Sequence, residues 1–289
     1  MKVTGFTFIR NAIKYDYPIV EAIESILPIC DNFVVAVGNS EDETLELISK
    51  INPEKIKIVE TTWDDSLREG GRVLAVETDK AYQAVDEDSD WAFYIQGDEV
   101  VHEKYLDTIY AAMQKYKDDD KVDGLLFNYT HFYGSYDYVG ISPRWYAHEI
   151  RVIKNNKKIY SFRDAQGFRK DDDKKLSVKH IDAYVYHYGW VKEPKAMQRK
   201  QEDFNRLWHD QEWVDKNVVK AEEFDYSQID ALKRFKGTHP KVMLDRIKRT
   251  NWEFEYDMSF NKLTAKDKFK MFLKSRFNID LGYKNYTKV

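Results

Sequence analysis

Apolar and polar residues alternate in blocks along the first hundred positions of the chain. Four short apolar runs have the length and the β-branched or aromatic content of buried strands: 3–9, 33–37, 56–62 and 91–95. Three segments between them carry apolar residues at helical spacing: 17–28, 43–51 and 72–85. Strands that alternate with helices predict an α/β fold whose parallel sheet is covered on both faces.

The pattern changes after residue 103. A helix is predicted at about 104–117, and three strand-like segments then follow with little helix between them: 122–133, 149–154 and 181–188. Four further helices are predicted near the end of the chain: 195–214, 228–236, 240–250 and 265–277.

The fourth predicted strand runs directly into polar residues. Trp91 to Ile95 is followed by Gln96, Gly97, Asp98 and Glu99. Ligands of open α/β sheets bind at the carboxyl ends of strands, and carboxylates there suit a hard divalent cation that in turn binds phosphate. The alternative is an acidic turn that begins a helix, because Asp and Glu are favourable in a first turn.

The composition of the chain argues against several classes of protein. The 289 residues are 43% hydrophobic and 33% charged, with a net charge of −4, which argues against a dedicated nucleic-acid binder. The single cysteine, Cys30, excludes an internal disulfide and a cysteine-based zinc site. The sequence shows neither a signal peptide nor an apolar stretch long enough to span a membrane, so a cytoplasmic protein is predicted.

Four short segments, in this order, resemble those of family 2-type glycosyltransferases with the GT-A fold. They are Ile9-Arg10-Asn11-Ala12, Val37-Gly38-Asn39-Ser40-Glu41-Asp42-Glu43-Thr44, Arg68-Glu69-Gly70-Gly71-Arg72 and Gln96-Gly97-Asp98-Glu99. The resemblance implies a Rossmann-like, mostly parallel sheet with helices on both faces. It divides the chain into a catalytic domain at 1–190, with a nucleotide-sugar half at about 1–103 and an acceptor half at about 104–190, and a helical C-terminal region at 191–289.

The resemblance implies transfer of a sugar from a nucleotide-sugar donor, with inversion, to a glycan or lipid-linked acceptor such as a growing surface polysaccharide. The implied donor-binding residues are Arg10, Asn11, Ser40, Arg68, Arg72, Gln96 and Glu99. Surface pairing of Arg10 and helix capping at Arg68 and Arg72 are the alternatives. Two positions depart from the family pattern: Val37-Gly38 replaces an acidic pair that meets the base, and Gln96 replaces the first Asp of the metal motif.

The implied cofactor is a divalent cation, Mn²⁺ or Mg²⁺, bound by Asp98. The resemblance adds His187 as a further ligand, whereas the alternative is a histidine packed among its aromatic neighbours. An inverting enzyme also needs a general base. Asp164, in a loop before a glycine, is the preferred candidate; Glu149 is the second and could instead pair with Arg151 or Arg163.

An aromatic cluster and a basic C-terminal segment indicate how the protein could bind an acceptor and contact a membrane. Residues 129–146 hold seven aromatic side chains, of which Tyr136, Tyr138 and Trp145 are predicted at the acceptor side, although such residues also pack sheets. Residues 261–289 carry a net charge of +6 and the rest of the chain −10. The basic amphipathic segment 265–277 either contacts an anionic membrane surface or docks on the acidic body of its own domain.

Two other functions remain open from the sequence. A catalytically silent sugar- or nucleotide-binding protein on the same fold is compatible with Gln96 in the metal motif. A sugar nucleotidyltransferase is less favoured, because residues 3–14 contain one glycine where that class has a glycine-rich signature.

Overall fold

The computed structural model describes residues 1–64, 66–67, 69–205, 211–218, 221–277 and 281–289. In chain order the strands are β1 (Val3–Ile9), β2 (Asn32–Gly38), β3 (Ile56–Thr61), β4 (Trp91–Tyr94), β5 (Glu99–Val101), β6 (Gly124–Tyr133), β7 (Ser135–Gly140), β8 (His148–Lys154), β9 (Ile159–Phe162), β10 (Gly167–Lys170), β11 (Lys174–Trp190), β12 (Leu232–Arg234) and β13 (Tyr286–Lys288). The α-helices are α1 (Ile19–Ile26), α2 (Thr44–Ser49), α3 (Arg72–Gln83), α4 (Leu106–Tyr116), α5 (Pro194–Asn205), α6 (Gln211–Asn217), α7 (Leu244–Lys248) and α8 (Ala265–Phe277).

The central sheet is mixed, and its first half is parallel. Its strand order begins β3-β2-β1-β4-β8-β6-β11. The first four strands run parallel, β8 is antiparallel to both β4 and β6, and β11 is parallel to β6. The predicted fold class, α/β with a GT-A, Rossmann-like sheet, is confirmed.

The parallel strands are buried on both faces, which explains their nearly continuous apolar sequences. In β2, Phe33 and Val35 belong to the core that packs against α1, whereas Val34 and Ala36 belong to the core that packs against α3. Gly5 of β1 leaves room for the Phe33 ring, since a Cβ there would lie 2.3 Å from it. Two cores therefore hold the sheet rigid and fix where its strands end.

The later elements depart most from the sequence predictions. The helix predicted at 228–236 is wrong, because residues 232–234 form β12, whose Leu232 pairs with Gly140 of β7. The helix predicted at 195–214 is α5 followed by α6, with 206–210 outside the described residues. The predicted helix 265–277 matches α8, and the predicted strand 181–188 is part of the 17-residue β11.

Residues beyond 190 are tied to the first half of the chain. Arg246 of α7 donates from Nε to Glu21 Oε1 at 2.8 Å and from Nη1 to Asp16 Oδ1 at 2.5 Å. Strands β12 and β13 add to the same sheet as β7 and β11. The proposed domain division at residue 190 stays a prediction.

Among the described helices, none has both the length and the apolar character needed to cross a membrane.

Candidate active site

A cavity of about 330 Å³ opens at the carboxyl ends of β1 and β4. Its wall includes Arg10 from the end of β1 and Gln96 to Asp98 from the turn after β4. The cavity brings together seven of the residues singled out from the sequence: Arg10, Gln96, Asp98, Trp145, Glu149, Asp164 and His187. Its position matches the general location of ligand sites in open α/β sheets.

Asp98 occupies the turn between β4 and β5. Its backbone carbonyl accepts a hydrogen bond from Tyr188 N at 2.8 Å, and its Oδ2 lies 3.4 Å from Lys200 Nζ and 3.8 Å from His187 Nε2. Burial alone would raise the pKa of Asp98, but His187, Lys200 and Lys192 together hold that pKa below its usual value. Asp98 is therefore an ionised carboxylate at neutral pH with long contacts to its neighbours.

Glu99 is placed differently from its neighbour Asp98. Its side chain is fully buried, and Arg151 donates to both of its carboxylate oxygens, at 2.8 and 2.7 Å. Tyr129 Oη and the Gln96 backbone N–H donate to the same carboxylate. Glu99 does not line the cavity, so the structure places this predicted donor-binding residue in the floor beneath it.

His187 is oriented by a second histidine. His187 of β11 is in register with His131 of β6, and the two Nδ1 atoms lie 3.2 Å apart. His131 Nε2 must donate to the Tyr146 carbonyl at 2.7 Å, and burial lowers the pKa of His131 to about 3, so this ring is neutral. His131 Nδ1 is then an acceptor, His187 Nδ1 donates to it, and the lone pair of His187 Nε2 faces Asp98.

His187 and Asp98 together supply part of the ligand set that a divalent cation needs. An imidazole whose far nitrogen donates to a fixed partner is the usual arrangement of a metal-binding histidine, and Asp98 adds a carboxylate. Within the described residues no group of three or more His, Cys, Asp or Glu side chains is arranged to hold a metal ion. The remaining ligands would have to come from the substrate and water.

Gln96 and Arg10 line the cavity on the side of β1 and β4. The Gln96 amide nitrogen donates to Tyr94 Oη and to the Ala165 carbonyl, both at 3.3 Å. Arg10 Nε donates to the Asn39 carbonyl at 3.0 Å, and its guanidinium lies 5.4 Å from the Trp63 ring centroid. Both side chains are held at the cavity wall by neighbouring loops.

Three other predicted donor-binding residues, Asn11, Ser40 and Arg72, do not line the cavity. Asn11, at a φ of 54°, accepts from the Glu41 N–H at 2.7 Å, and Ser40 Oγ accepts from the Asn11 N–H at 3.0 Å. These bonds tie the end of β1 to the loop after β2. Arg72 is the first residue of α3, outside the cavity wall, and Arg68 lies outside the described residues.

Two further carboxyl groups line the cavity, those of Glu149 and Asp164. Glu149 of β8 is 4% exposed, and its Oε2 has no hydrogen-bond partner among the described residues. Burial, with a contribution from Asp164, raises the pKa of Glu149 to about 8. Asp164 lies in a turn between Arg163 and Ala165, both at positive φ, and burial also raises its pKa.

The predicted acceptor-side aromatics separate into two groups. Trp145 lies in the cavity wall and stacks on His131, with ring centroids 4.9 Å apart. Tyr138 is 1% exposed and donates to Glu255 Oε2 at 3.1 Å, and Tyr136 is buried against Tyr188. The structure places Tyr136 and Tyr138 away from the cavity, in the packing between the sheet and the C-terminal region.

Sequence reasoning missed several residues of the site. Lys200 of α5 approaches Asp98, and both Lys200 Nζ and the buried Lys192 Nζ lie over the Tyr17 ring, at 4.9 and 4.6 Å from its centroid. Burial, with Lys200 nearby, lowers the pKa of Lys192 to about 7. Arg151 carried a recognisable signal, since it is a charged residue between the apolar Ile150 and Val152 of β8.

No protein-family model matches this chain, and no curated protein matches it either. Similar solved structures include TarS residues 1–349 from S. aureus in complex with UDP, 14% identical with a TM-score of 0.41, covering 77% of this chain and 68% of that one. A 4-diphosphocytidyl-2C-methyl-D-erythritol synthase from Anaerococcus prevotii is 13% identical with a TM-score of 0.38, covering 66% and 89%. A Mycobacterium tuberculosis glucosyl-3-phosphoglycerate synthase in complex with Mn²⁺, UDP and phosphoglyceric acid is 15% identical with a TM-score of 0.30, covering 45% and 43%. Similarity at this level carries no argument about activity.

Proposed function

We propose that this protein is an inverting glycosyltransferase that moves a sugar from a nucleotide-sugar donor to a carbohydrate or lipid-linked acceptor. The observation that carries the proposal is one cavity with two chemically different sides. One side presents the ionised Asp98 with His187 and Lys200, and the other presents the carboxyl groups of Glu149 and Asp164.

The Asp98 side suits the diphosphate of the donor. Lys200 and Arg10 bring positive charge to the cavity wall, and Lys192 lies buried behind Tyr17. A divalent cation, when held by Asp98 and His187, stabilises negative charge on the departing diphosphate. Gln96 keeps an amide at the position where the resembling family has a carboxylate, so a single carboxylate, that of Asp98, remains on this side.

The Glu149 side suits the acceptor hydroxyl. In the reaction proposed here, a carboxylate accepts the hydroxyl proton, the acceptor oxygen bonds to the anomeric carbon, and the anomeric C–O bond breaks with its electron pair leaving on the diphosphate. Glu149 is the preferred base, because it has an unpartnered oxygen and a pKa near the working pH. Asp164 is the second candidate and shares the same wall.

Variants of the two carboxyl groups test the proposal. Purified protein is incubated with a panel of nucleotide-sugars and Mn²⁺ or Mg²⁺, and release of nucleoside diphosphate is measured with and without acceptor sugars. We expect Glu149→Gln to lose about a hundredfold in transfer while nucleoside diphosphate binding is kept, and Asp120→Asn, an exposed control, to match wild type.

Other results assign the function differently. Transfer that is lost in Asp164→Asn and kept in Glu149→Gln makes Asp164 the base. Tight binding of a nucleotide or sugar with no turnover of any donor contradicts the enzyme and favours a silent binding protein. Release of pyrophosphate from a nucleoside triphosphate and a sugar phosphate would identify a nucleotidyltransferase.

Contact of residues 261–289 with the inner face of a membrane belongs to the same proposal. Three phenylalanines of α8 are largely exposed, Phe269 at 58%, Phe272 at 54% and Phe277 at 58%. Lysines flank them, which suits an anionic lipid surface. Sedimentation with anionic liposomes should therefore weaken in Phe269→Ser/Phe272→Ser, and equal sedimentation of wild type and variant would contradict membrane contact.

A further inference from the structure

A second cavity, of about 290 Å³, adjoins the first. It lies between the β7–β8 loop, α8 and residues 281–286. Four residues line both cavities: Trp145, Tyr146, Glu149 and Gln166. A ligand in the second cavity would therefore lie next to the proposed base, on the side away from Asp98.

The second cavity is strongly basic. Among the described residues, its lining holds Arg144, Lys270, Lys274 and Lys284 and one carboxyl group, that of Glu149. Arg144 is shared with two carboxylates, since its Nε lies 3.5 Å from Asp230 Oδ2 and its Nη2 3.8 Å from Asp267 Oδ2.

The three lysines of this cavity differ from Arg144 in their ion pairing within the described residues. Lys270, Lys274 and Lys284 form no salt bridge within the part of the chain that the structure describes, although Lys270 helps to lower the pKa of Asp267. Positive charge left unpaired around a concave surface attracts an anion.

Helix α8 shows that this charge faces inward. Met271, Lys270 and Lys274 line the cavity, whereas Phe269 and Phe272 on the other side of the helix are more than half exposed. The orientation of α8 thus gives the cavity its charge while leaving phenylalanines outside.

Buried polar atoms in the wall also lack partners. Asn285 is 3% exposed, and neither its Nδ2 nor its Oδ1 has a hydrogen-bond partner among the described residues. Its backbone is fixed, because Arg169 Nη1 donates to its carbonyl at 2.9 Å and the next residue, Tyr286, begins β13. Unsatisfied buried amides are uncommon, and they mark positions where a ligand or water completes the bonding.

Glu149 Oε2 also lacks a hydrogen-bond partner among the described residues, and it lies beside the same glycine as the Asn285 amide. A Cβ on Gly167 would be 2.3 Å from Asn285 Nδ2 and 3.4 Å from Glu149 Oε2. Both groups therefore approach the same glycine, whose missing side chain leaves space for the Asn285 amide.

We infer that the second cavity binds a phosphate group carried by the acceptor, so that the acceptor class is a phosphorylated carbohydrate or a phosphate-linked glycan. Lys270, Lys274 and Lys284 hold the phosphate, and Asn285 contributes its amide. The reacting hydroxyl then lies on the Glu149 side of the anion. The acceptor role rests on the function proposed above, whereas the anion site itself rests only on this cavity.

The test compares two double variants that remove equal charge from the same helix. Lys270→Gln/Lys274→Gln removes cavity lysines, and Lys266→Gln/Lys268→Gln removes lysines of α8 that do not line the cavity. Inorganic phosphate and glucose 6-phosphate are titrated at constant ionic strength and followed by calorimetry, with thermal melts to check folding. We expect affinity to fall about tenfold in the first variant and to stay within about twofold of wild type in the second.

The outcomes separate this inference from the proposed function. Equal phosphate affinity in all three proteins overturns the anion site, and if UDP binding and donor turnover persist, the proposed function stands without it. The protein could bind phosphate at the cavity lysines and yet neither bind nor turn over any nucleotide-sugar. That result supports the anion site and overturns the acceptor role. Faster transfer to glucose 6-phosphate than to glucose, lost in Lys270→Gln/Lys274→Gln, supports both.

Discussion

Acidic side chains lie both in the floor of the first cavity and at its rim, but they differ in their hydrogen bonding. In the floor, Glu99 receives two hydrogen bonds from Arg151 and one from Tyr129, and none of these groups is left without a partner among the described residues. At the rim, Asp98 has contacts of 3.4 and 3.8 Å, and Glu149 Oε2 has no partner among the described residues. The adjacent acids Glu99 and Asp98 thus differ in what they can do. A network whose hydrogen bonds are all formed makes the fold rigid, whereas polar groups with unused hydrogen-bonding capacity are available to a ligand.

The largest effect is expected in the floor. Glu99→Ala leaves the Arg151 guanidinium buried without its carboxylate, which should cost about 3–5 kcal/mol of unfolding free energy. Urea unfolding followed by circular dichroism measures this loss. Glu54→Ala, on an exposed acid, should stay within about 0.5 kcal/mol of wild type, and a similarly small change at Glu99 would remove the distinction between floor and rim.

A pH-dependent effect, smaller per pH unit than the loss in the floor, is expected at the rim. The pKa of Glu149 is about 8 in the fold against 4.5 as the reference value, so the folded state keeps a proton that the unfolded chain releases. Between these values stability falls as pH rises, by up to about 1.4 kcal/mol per pH unit, and below pH 4.5 the effect vanishes. Glu149→Gln removes this term, so its stability relative to wild type should increase from pH 5 to pH 8 and level off above.

Urea unfolding of both proteins at pH 5, 6.5 and 8 checks that difference. Asp120→Asn serves as the exposed control and should follow wild type at each pH. Parallel stability curves for wild type and Glu149→Gln would show that Glu149 is not a buried neutral acid.

The smallest effect is expected at the pair of histidines. His131→Phe removes the acceptor for His187 Nδ1, so the lone pair of His187 Nε2 is no longer held toward Asp98. UDP affinity in the presence of Mn²⁺ should fall about tenfold, as for other partners that orient metal ligands, and UDP affinity without metal should not change. His180→Phe, at an exposed histidine, is the matched control. Equal losses with and without Mn²⁺ would mean that His131 acts through packing alone.

The sequence predicted the parallel half of the sheet well, but it did not predict that Glu99 is buried beneath the cavity that Asp98 lines. β1 to β4 are apolar runs bounded by polar residues, so their period and length identify them. β12 was missed because its three residues are a strand only through pairing with β7. Which acid is buried depends on the register of β5 with β11, where His187 pairs with Glu99, and a single sequence carries no information on that register.

The same distinction between local sequence signals and tertiary contacts applies to the candidate site. Asp98 and Asp164 were recognisable because each lies in a turn beside a strand. Glu149 and His187 lie within β8 and β11 and were singled out through the family resemblance. His131 and Lys200 were not, since His131 becomes relevant only through its register with His187, and Lys200 through the packing of α5. The second cavity is a product of tertiary structure altogether, because its walls come from segments more than a hundred residues apart.

The clamp made by Arg246 has a consequence for the order in which the protein is made. Its guanidinium bonds Asp16 and Glu21, next to Tyr17 in the cavity wall, across 230 and 225 residues. At a translation rate of about 5–20 residues per second, the ribosome adds Arg246 roughly 12 to 46 seconds after Asp16. During that time the nascent chain can form its parallel sheet but cannot close this clamp. The first cavity is therefore among the last parts of the molecule to be completed, and a chaperone would meet it open.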